Sequence, residues 1–226
     1  MQTDGSGRRL DSFAAVLWDM DGTLVDTEPY WIAAEFALAE RYDGTWSRER
    51  GLELVGSDLL DSGRYIREHM GIDVTPERIV DELLDSVIEQ VERSVPWREG
   101  ARELLGSLHE AGVPCGLVTM SYARFVKPIL AALPDDTFAS VVTGDAVDRG
   151  KPHPEPYLAA ARDLDVLASE CLAIEDSDTG TTSAVAAGCR VLVVPLHVSV
   201  PPGRGRVFAE SLVGLDARSR LGDSPS

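Results

Sequence analysis

Short runs that stay apolar from one residue to the next constrain this chain more than any other feature. They fall at residues 14–18, 115–119, 140–142, 171–174 and 190–194, and most are rich in β-branched or small side chains. A strand with one wet face alternates apolar and polar residues, whereas an unbroken apolar run is buried on both faces. Helical patterns occupy 100–111, 123–133, 154–163 and 181–187, between most of these runs. Strands alternating with helices predict a parallel sheet covered on both sides, an α/β doubly wound core.

One interval breaks the rhythm. Residues 19–114 separate the first run from the second, far more than a single crossover helix needs. Within it, 29–98 reads as helices only. Trp31, Ala34, Phe36, Ala37 and Leu38 suggest one apolar face, and Ile79, Leu83, Leu84, Val87, Ile88 and Val91 a second at helical spacing. Thr75-Pro76-Glu77 supplies a helix start with proline at the first helical position. The expected organisation is a core of 11–28 and 99–214, with a helical insertion at 29–98 that could act as a lid. The Gly/Ser/Arg/Asp-rich ends, 1–10 and 215–226, are expected to be frayed tails.

Charge narrows the partners. The chain has 38 acidic residues against 21 Lys plus Arg, for a formal charge of −17. That field repels nucleic acid and anionic membrane, so neither is an expected partner. No apolar run approaches a bilayer span, and the first residues lack a signal-peptide pattern. Cys115, Cys171 and Cys189 sit in or beside apolar runs without metal spacing, and are expected to be buried free thiols of a cytoplasmic protein. A small anionic substrate remains open if a local cation focus exists, and a monomer is the default state.

Ligands of an open α/β sheet bind beyond the carboxyl ends of its strands. After the first run come Asp19-Met20-Asp21-Gly22-Thr23, and after the second Thr119-Met120-Ser121. A short loop after the third leads to Lys151-Pro152-His153-Pro154, and the fourth is followed by Glu175-Asp176-Ser177-Asp178. Each segment alone has a plain structural reading. Asp21-Gly22 is a common turn, and the 175–178 stretch could cap a helix, which is all that Asp178 is expected to do. His69, His109 and His197 are isolated and read as surface or helix-end residues, while His153 is less clear beside Lys151.

Convergence of the four segments on one edge suggests chemistry. Clustered carboxylates repel unless a cation joins them, and an oxygen-only ligand set favours a hard ion such as Mg²⁺. A lysine and a metal together suit a phosphoryl group. A carboxylate can attack phosphorus to form an acyl phosphate, and a second one two residues on projects to the same side. Asp21 could then protonate the leaving oxygen and later deprotonate a water.

In order and spacing, the four segments resemble the four motifs of the haloacid dehalogenase-like (HAD) phosphotransferase superfamily. The insertion resembles the cap of its helical-cap subclass, and the likeness covers nearly the whole chain. The resemblance implies a Rossmann-like core with Asp19 as nucleophile and Asp21 as general acid/base. It implies that Thr119 binds the transferring phosphoryl group, with Met120 and Ser121 beside it on the substrate, and that Lys151 neutralises and orients nucleophile and phosphate. It also implies Mg²⁺ held by Asp19, Asp176 and the backbone carbonyl of Asp21, with Glu175 as a direct or water-mediated ligand.

Departures within the superfamily favour phosphate ester hydrolysis. Its dehalogenases lack the second aspartate that Asp21 supplies. Its phosphonate-cleaving members need a lysine in the cap, but the only lysines here are Lys127 and Lys151. The alternative is a β-phosphoglucomutase-like sugar phosphomutase. There, a histidine stands where Trp31 is found, and an arginine in the cap loop holds the distal phosphate. The matching loop, 54–60, has no basic residue, although Arg64 or Arg67 could substitute. The expectation is a Mg²⁺-dependent phosphatase that acts on a small phosphorylated metabolite, a sugar phosphate or nucleotide-like monoester, through an aspartyl-phosphate intermediate. Asp58, Arg64, Trp31 and Ser57 are the candidate cap contacts.

Overall fold

A computed structural model describes residues 7–221. Its centre is a six-stranded parallel sheet of β1 (Ala15–Trp18), β2 (Cys115–Val118), β3 (Ser140–Val142), β4 (Cys171–Glu175), β5 (Arg190–Val193) and β6 (Arg206–Phe208), in the spatial order β3-β2-β1-β4-β5-β6. Alternate side chains of the central strands enter two separate cores. Val16, Trp18, Leu117 and Ile174 face one, and Ala15, Leu17, Val118 and Ala173 the other. This two-sided burial is why the runs are apolar throughout. Trp18 pairs in register with Leu117 on one side and Ile174 on the other, so the residues that follow β1, β2 and β4 emerge side by side.

α5 (Ala101–Glu110) and α6 (Ala123–Leu130) cover the first face, and α7 (Glu155–Asp163) and α8 (Asp178–Ala187) the second. Between β1 and α5 run four helices, α1 (Glu28–Arg41), α2 (Arg48–Leu52), α3 (Leu59–Met70) and α4 (Pro76–Arg93), with no strand among them. α4 starts as its sequence predicts: the Thr75 hydroxyl accepts from the Arg78 N–H, Pro76 is the first helical residue, and Ile79, Leu83, Leu84, Val87 and Val91 are buried.

Several expectations need correction. The buried stripe of α1 is Ala34, Glu35, Leu38 and Ala39, while Phe36 is 43% exposed and Ala37 lies outward. The face is rotated because a carboxylate, Glu35, occupies a buried position that an apolar pattern cannot reveal. β6 gave no sequence signal, being three residues long at the sheet edge with only Val207 buried.

The described parts of the two ends are also not frayed. Arg9 bridges Arg220 in antiparallel fashion, the Leu10 and Asp11 N–H groups donate to Ser219 and Ala217, and Leu10 and Leu221 are buried. The ends clasp each other, which neither shows alone. Residues 1–6 and 222–226 of the expected tails lie outside the described residues. Asp178 is an acid in the first turn of α8, where it complements the helix dipole, but it is not the cap. Ser177 is, accepting from the Gly180 N–H, while Asp178 pairs with Arg206 at 2.8 Å. The three cysteines are buried and free, and among the described residues no helix is long and apolar enough to cross a membrane.

Candidate active site

The sheet extends one residue past β1, where the Asp19 N–H donates to the Ile174 carbonyl at 3.0 Å. This brings the Asp19 carboxylate beside Glu175 and Asp176 at the end of β4. The chain then turns at Gly22, whose φ of +85° suits a residue without Cβ. Space forces the same choice, since a Cβ at Gly22 would lie 2.0 Å from Asp176 Oδ2. The half-buried Arg98 fastens the turn by donating to the carbonyls of Gly22 (2.6 Å) and Val194 (2.8 Å).

Lys151 arrives from the loop after β3 and is only 8% exposed. Its Nζ donates to Asp19 Oδ1 at 2.7 Å, Glu175 Oε1 at 2.7 Å and the Val118 carbonyl at 3.0 Å, which uses all three ammonium protons. Burial opposes its charge, but Asp19 and Glu175 outweigh that and push its pKa up. Glu175 is fully buried: Oε1 also accepts from the Tyr157 hydroxyl at 2.5 Å, and Oε2 from Ser177 at 3.3 Å. Both Glu175 oxygens are therefore engaged, Oε1 by Lys151 and Tyr157 and Oε2 by Ser177.

Asp19 Oδ2 and Asp176 Oδ2 differ, being buried with no hydrogen-bond partner. Orphaned carboxylate oxygens are costly, and here three carboxylates (Asp19, Glu175 and Asp176) place ligand atoms within 4.8 Å of one another. Burial, then the Glu175 charge, pushes the Asp19 carboxyl up to about 7. Burial, then Asp19 and Glu175, holds Asp176 well above its ordinary value. A set of hard oxygen donors with two unpartnered atoms and one lysine for counter-charge fits a divalent cation such as Mg²⁺.

Asp21 faces another way. Its Oδ1 accepts from Thr27 Oγ1 at 2.5 Å, and its Oδ2 from Ser121 Oγ at 2.7 Å and, more loosely, from Thr119 Oγ1 at 3.4 Å. Burial raises its pKa against the opposing hydrogen bonds from Thr27 and Ser121. The Thr119 hydroxyl accepts from the Ser121 N–H at 3.0 Å, and Met120 Sδ accepts from the Lys151 N–H. Asp19, Asp21, Thr119, Met120, Ser121, Lys151, Glu175 and Asp176 thus meet on one edge of the sheet, whereas Asp178 and His153 do not join them.

A cleft with about 950 Å³ of empty space, part of it open to solvent, separates this edge from helices α1 to α4. Trp31 and Ser57 line it as expected. Asp58 and Arg64 do not. Asp58 caps α3, accepting from the N–H groups of Leu60 and Asp61, and Arg64 points outward to Asp61. Arg67 pairs with Asp73, so neither arginine reaches the cleft. His197, read from the sequence as isolated, lines the cleft and meets Asp26 Oδ1 at 2.7 Å. Thr27, Tyr157 and Arg98 were also missed. Thr27 follows the first motif closely enough to have been suspected, whereas Tyr157 and Arg98 approach only through the fold.

The profile of haloacid dehalogenase-like hydrolases matches residues 16–194. Hexitol phosphatase B of Escherichia coli K12 is 30% identical over 92% of this chain and 96% of its own. Phosphoglycolate phosphatase of Salmonella typhimurium is 33% identical over 80% of this chain and 81% of its own. The crystal structure of CbbY from Rhodobacter sphaeroides with phosphate superposes with a TM-score of 0.80 at 24% identity, covering 89% of this chain and 96% of that one. β-Phosphoglucomutase from Clostridium difficile superposes at 0.72 and 21% identity, over 82% and 86%. The parallel core, the strand-end acids and a match that reaches from β1 through β5, five of the six strands, place this chain in the haloacid dehalogenase-like hydrolase family.

Proposed function

We propose that this protein hydrolyses a small phosphate monoester, a sugar or sugar-alcohol phosphate, in a Mg²⁺-dependent reaction through an aspartyl-phosphate. The observation that carries the reading is the state of Asp19: one oxygen is held by Lys151 while the other is buried without a partner. The Asp19 carboxylate attacks phosphorus as the bond from phosphorus to the ester oxygen breaks. Asp21, protonated, gives its proton to the departing alcohol. In the second half a water attacks the phosphoryl group, Asp21 takes the water's proton, and the Asp19 carboxylate is released with inorganic phosphate. Lys151 and the Thr119 and Ser121 hydroxyls orient the phosphoryl oxygens. Asp19, Asp176 and the Asp21 carbonyl would hold Mg²⁺, which when bound neutralises phosphoryl charge. Glu175 acts mainly by fixing Lys151.

In this reading residues 29–98 form a cap domain on a core of 11–28 and 99–214, and its closure excludes bulk water from the acyl phosphate. The similarity to hexitol phosphatases supports a sugar-alcohol or sugar ester. A phosphomutase must retain a bisphosphate while it reorients. With Arg64 and Arg67 turned outward, nothing on the cap side of the cleft offers a cation to a distal phosphate. Inorganic phosphate release from a panel of monoesters, with Mg²⁺ and with chelator, tests the reading. Mg²⁺-dependent release that disappears in Asp19→Asn is expected. Interconversion of β-glucose 1-phosphate and glucose 6-phosphate without release would overturn it.

A further inference from the structure

The cap side of the cleft holds two carboxylates that the chemistry above does not use. Glu28 and Glu35 lie on α1, three residues before and four after Trp31, so all three share one face of the helix, and all three line the cleft. Glu35 is only 4% exposed. Its Oε2 accepts from Trp46 Nε1 at 2.8 Å. Room for it is made by Gly51 of α2, where a Cβ would lie 2.6 Å from Glu35 Oε2. The surrounding wall is apolar, from Leu54, Leu59, Ile66 and Leu83. A buried carboxylate in such a wall is costly unless a ligand uses it.

We propose that Glu28 and Glu35 set leaving-group specificity: they accept hydroxyl protons from an uncharged polyol and reject any substrate with a second anionic group. This rests on the phosphatase reading for the position of the ester, since Asp19 and Lys151 hold the phosphoryl end and leave the alcohol facing α1. Carboxylates accept hydrogen bonds and never donate them when ionised, so a polyhydroxy alcohol complements them. A phosphate or carboxylate at the far end would meet two like charges on a side of the cleft that no lysine or arginine of α1 to α4 lines, and specificity arises as much from that repulsion as from attraction. Burial pushes both carboxyls up to about 7, with the Glu35 charge adding to the effect on Glu28.

The test is calorimetric binding to Asp19→Asn protein with Mg²⁺ at about pH 8, where both groups are ionised. The ligands are a hexitol 6-phosphate, phosphoglycolate and a hexose 1,6-bisphosphate, and Glu35→Gln and Glu28→Gln are then added singly in the same background. Glutamine keeps an acceptor for Trp46, and the Glu28 variant covers the case in which the buried position does not tolerate change. The hexitol phosphate should bind at least ~10-fold tighter than either ligand with a second anionic group, and each glutamine should narrow the ratio by ~10-fold, mainly by strengthening those two ligands. A ratio unmoved in both variants, preferential binding of phosphoglycolate, or no binding of the hexitol phosphate would overturn the proposal. Phosphate release by the wild-type enzyme reports separately on hydrolysis. Release with an unmoved ratio refutes only the specificity role, and the expected ratio without release refutes only the phosphatase.

Discussion

Lys151 Nζ lies 2.7 Å from Asp19 Oδ1, so Asp19, the proposed nucleophile, is gripped by one oxygen and unpartnered at the other. The same ammonium compensates Glu175 in a pocket with almost no solvent. Lys151→Met should therefore reduce kcat/KM by at least about 10²-fold. It should also destabilise the fold by roughly 3 kcal/mol, because two buried carboxylates lose their counter-charge. Steady-state kinetics with urea unfolding measures both. A variant of wild-type stability would mean that the carboxylates share a proton instead.

Thr27 donates to Asp21 Oδ1, and Trp31 also contributes a side-chain hydrogen bond to this carboxyl. Without the Thr27 hydroxyl the carboxyl loses a contact that aims it at the departing alcohol. Thr27→Val should lower kcat by about 10-fold with little change in KM, and Thr27→Ser should restore most of it. Equal losses in both variants would point to packing of the methyl group rather than to the hydroxyl.

Gly22 is where backbone and charge cluster come closest. Gly22→Ala meets both a left-handed φ and the Asp176 carboxylate. Asp176 must move, so apparent Mg²⁺ affinity measured by activation kinetics should fall by ~10-fold or more, with a loss of about 1–2 kcal/mol of stability from the backbone alone. Unchanged Mg²⁺ dependence would separate Asp176 from the metal.

Glu35 provides a pH test of the fold itself. Burial lifts its carboxyl from 4.5 to about 7, against the hydrogen bond from Trp46. The folded protein thus holds this proton more tightly than the unfolded chain. The resulting stability is fully present below about 4.5 and is lost as pH rises through about 7. Glu35→Gln removes the dependence. Relative to wild type, the variant should gain on the order of 3 kcal/mol between pH 5 and 8, read from urea midpoints. A constant difference across that range would show that Glu35 is solvated in the folded protein.

The sequence alone was enough for five of the six strands and for the strand-end acids. Runs such as 14–18 and 171–174 are apolar on both faces because Trp18 and Leu17, or Ile174 and Ala173, enter opposite cores. A local pattern carries that information completely. That Asp19, Asp21, Lys151 and the Glu175-Asp176 pair would meet was legible because strand ends in a parallel sheet share one edge, whereas the roles proposed for them came from the resemblance to the family.

Only the tertiary structure decided what those residues touch. It turned Asp21 toward Thr27 and Ser121 rather than toward Asp176, occupied both oxygens of Glu175, and left Asp19 Oδ2 and Asp176 Oδ2 without partners. It sent Arg64 and Arg67 outward, brought His197 to Asp26, buried Glu35 and clasped the chain ends through Arg9 and Arg220. Periodicity reports which face of an element is apolar, because burial of that face is a property of the element. Which buried polar atom finds a partner depends on residues far apart in the chain, such as 35 with 46 or 26 with 197, and packing sets those distances.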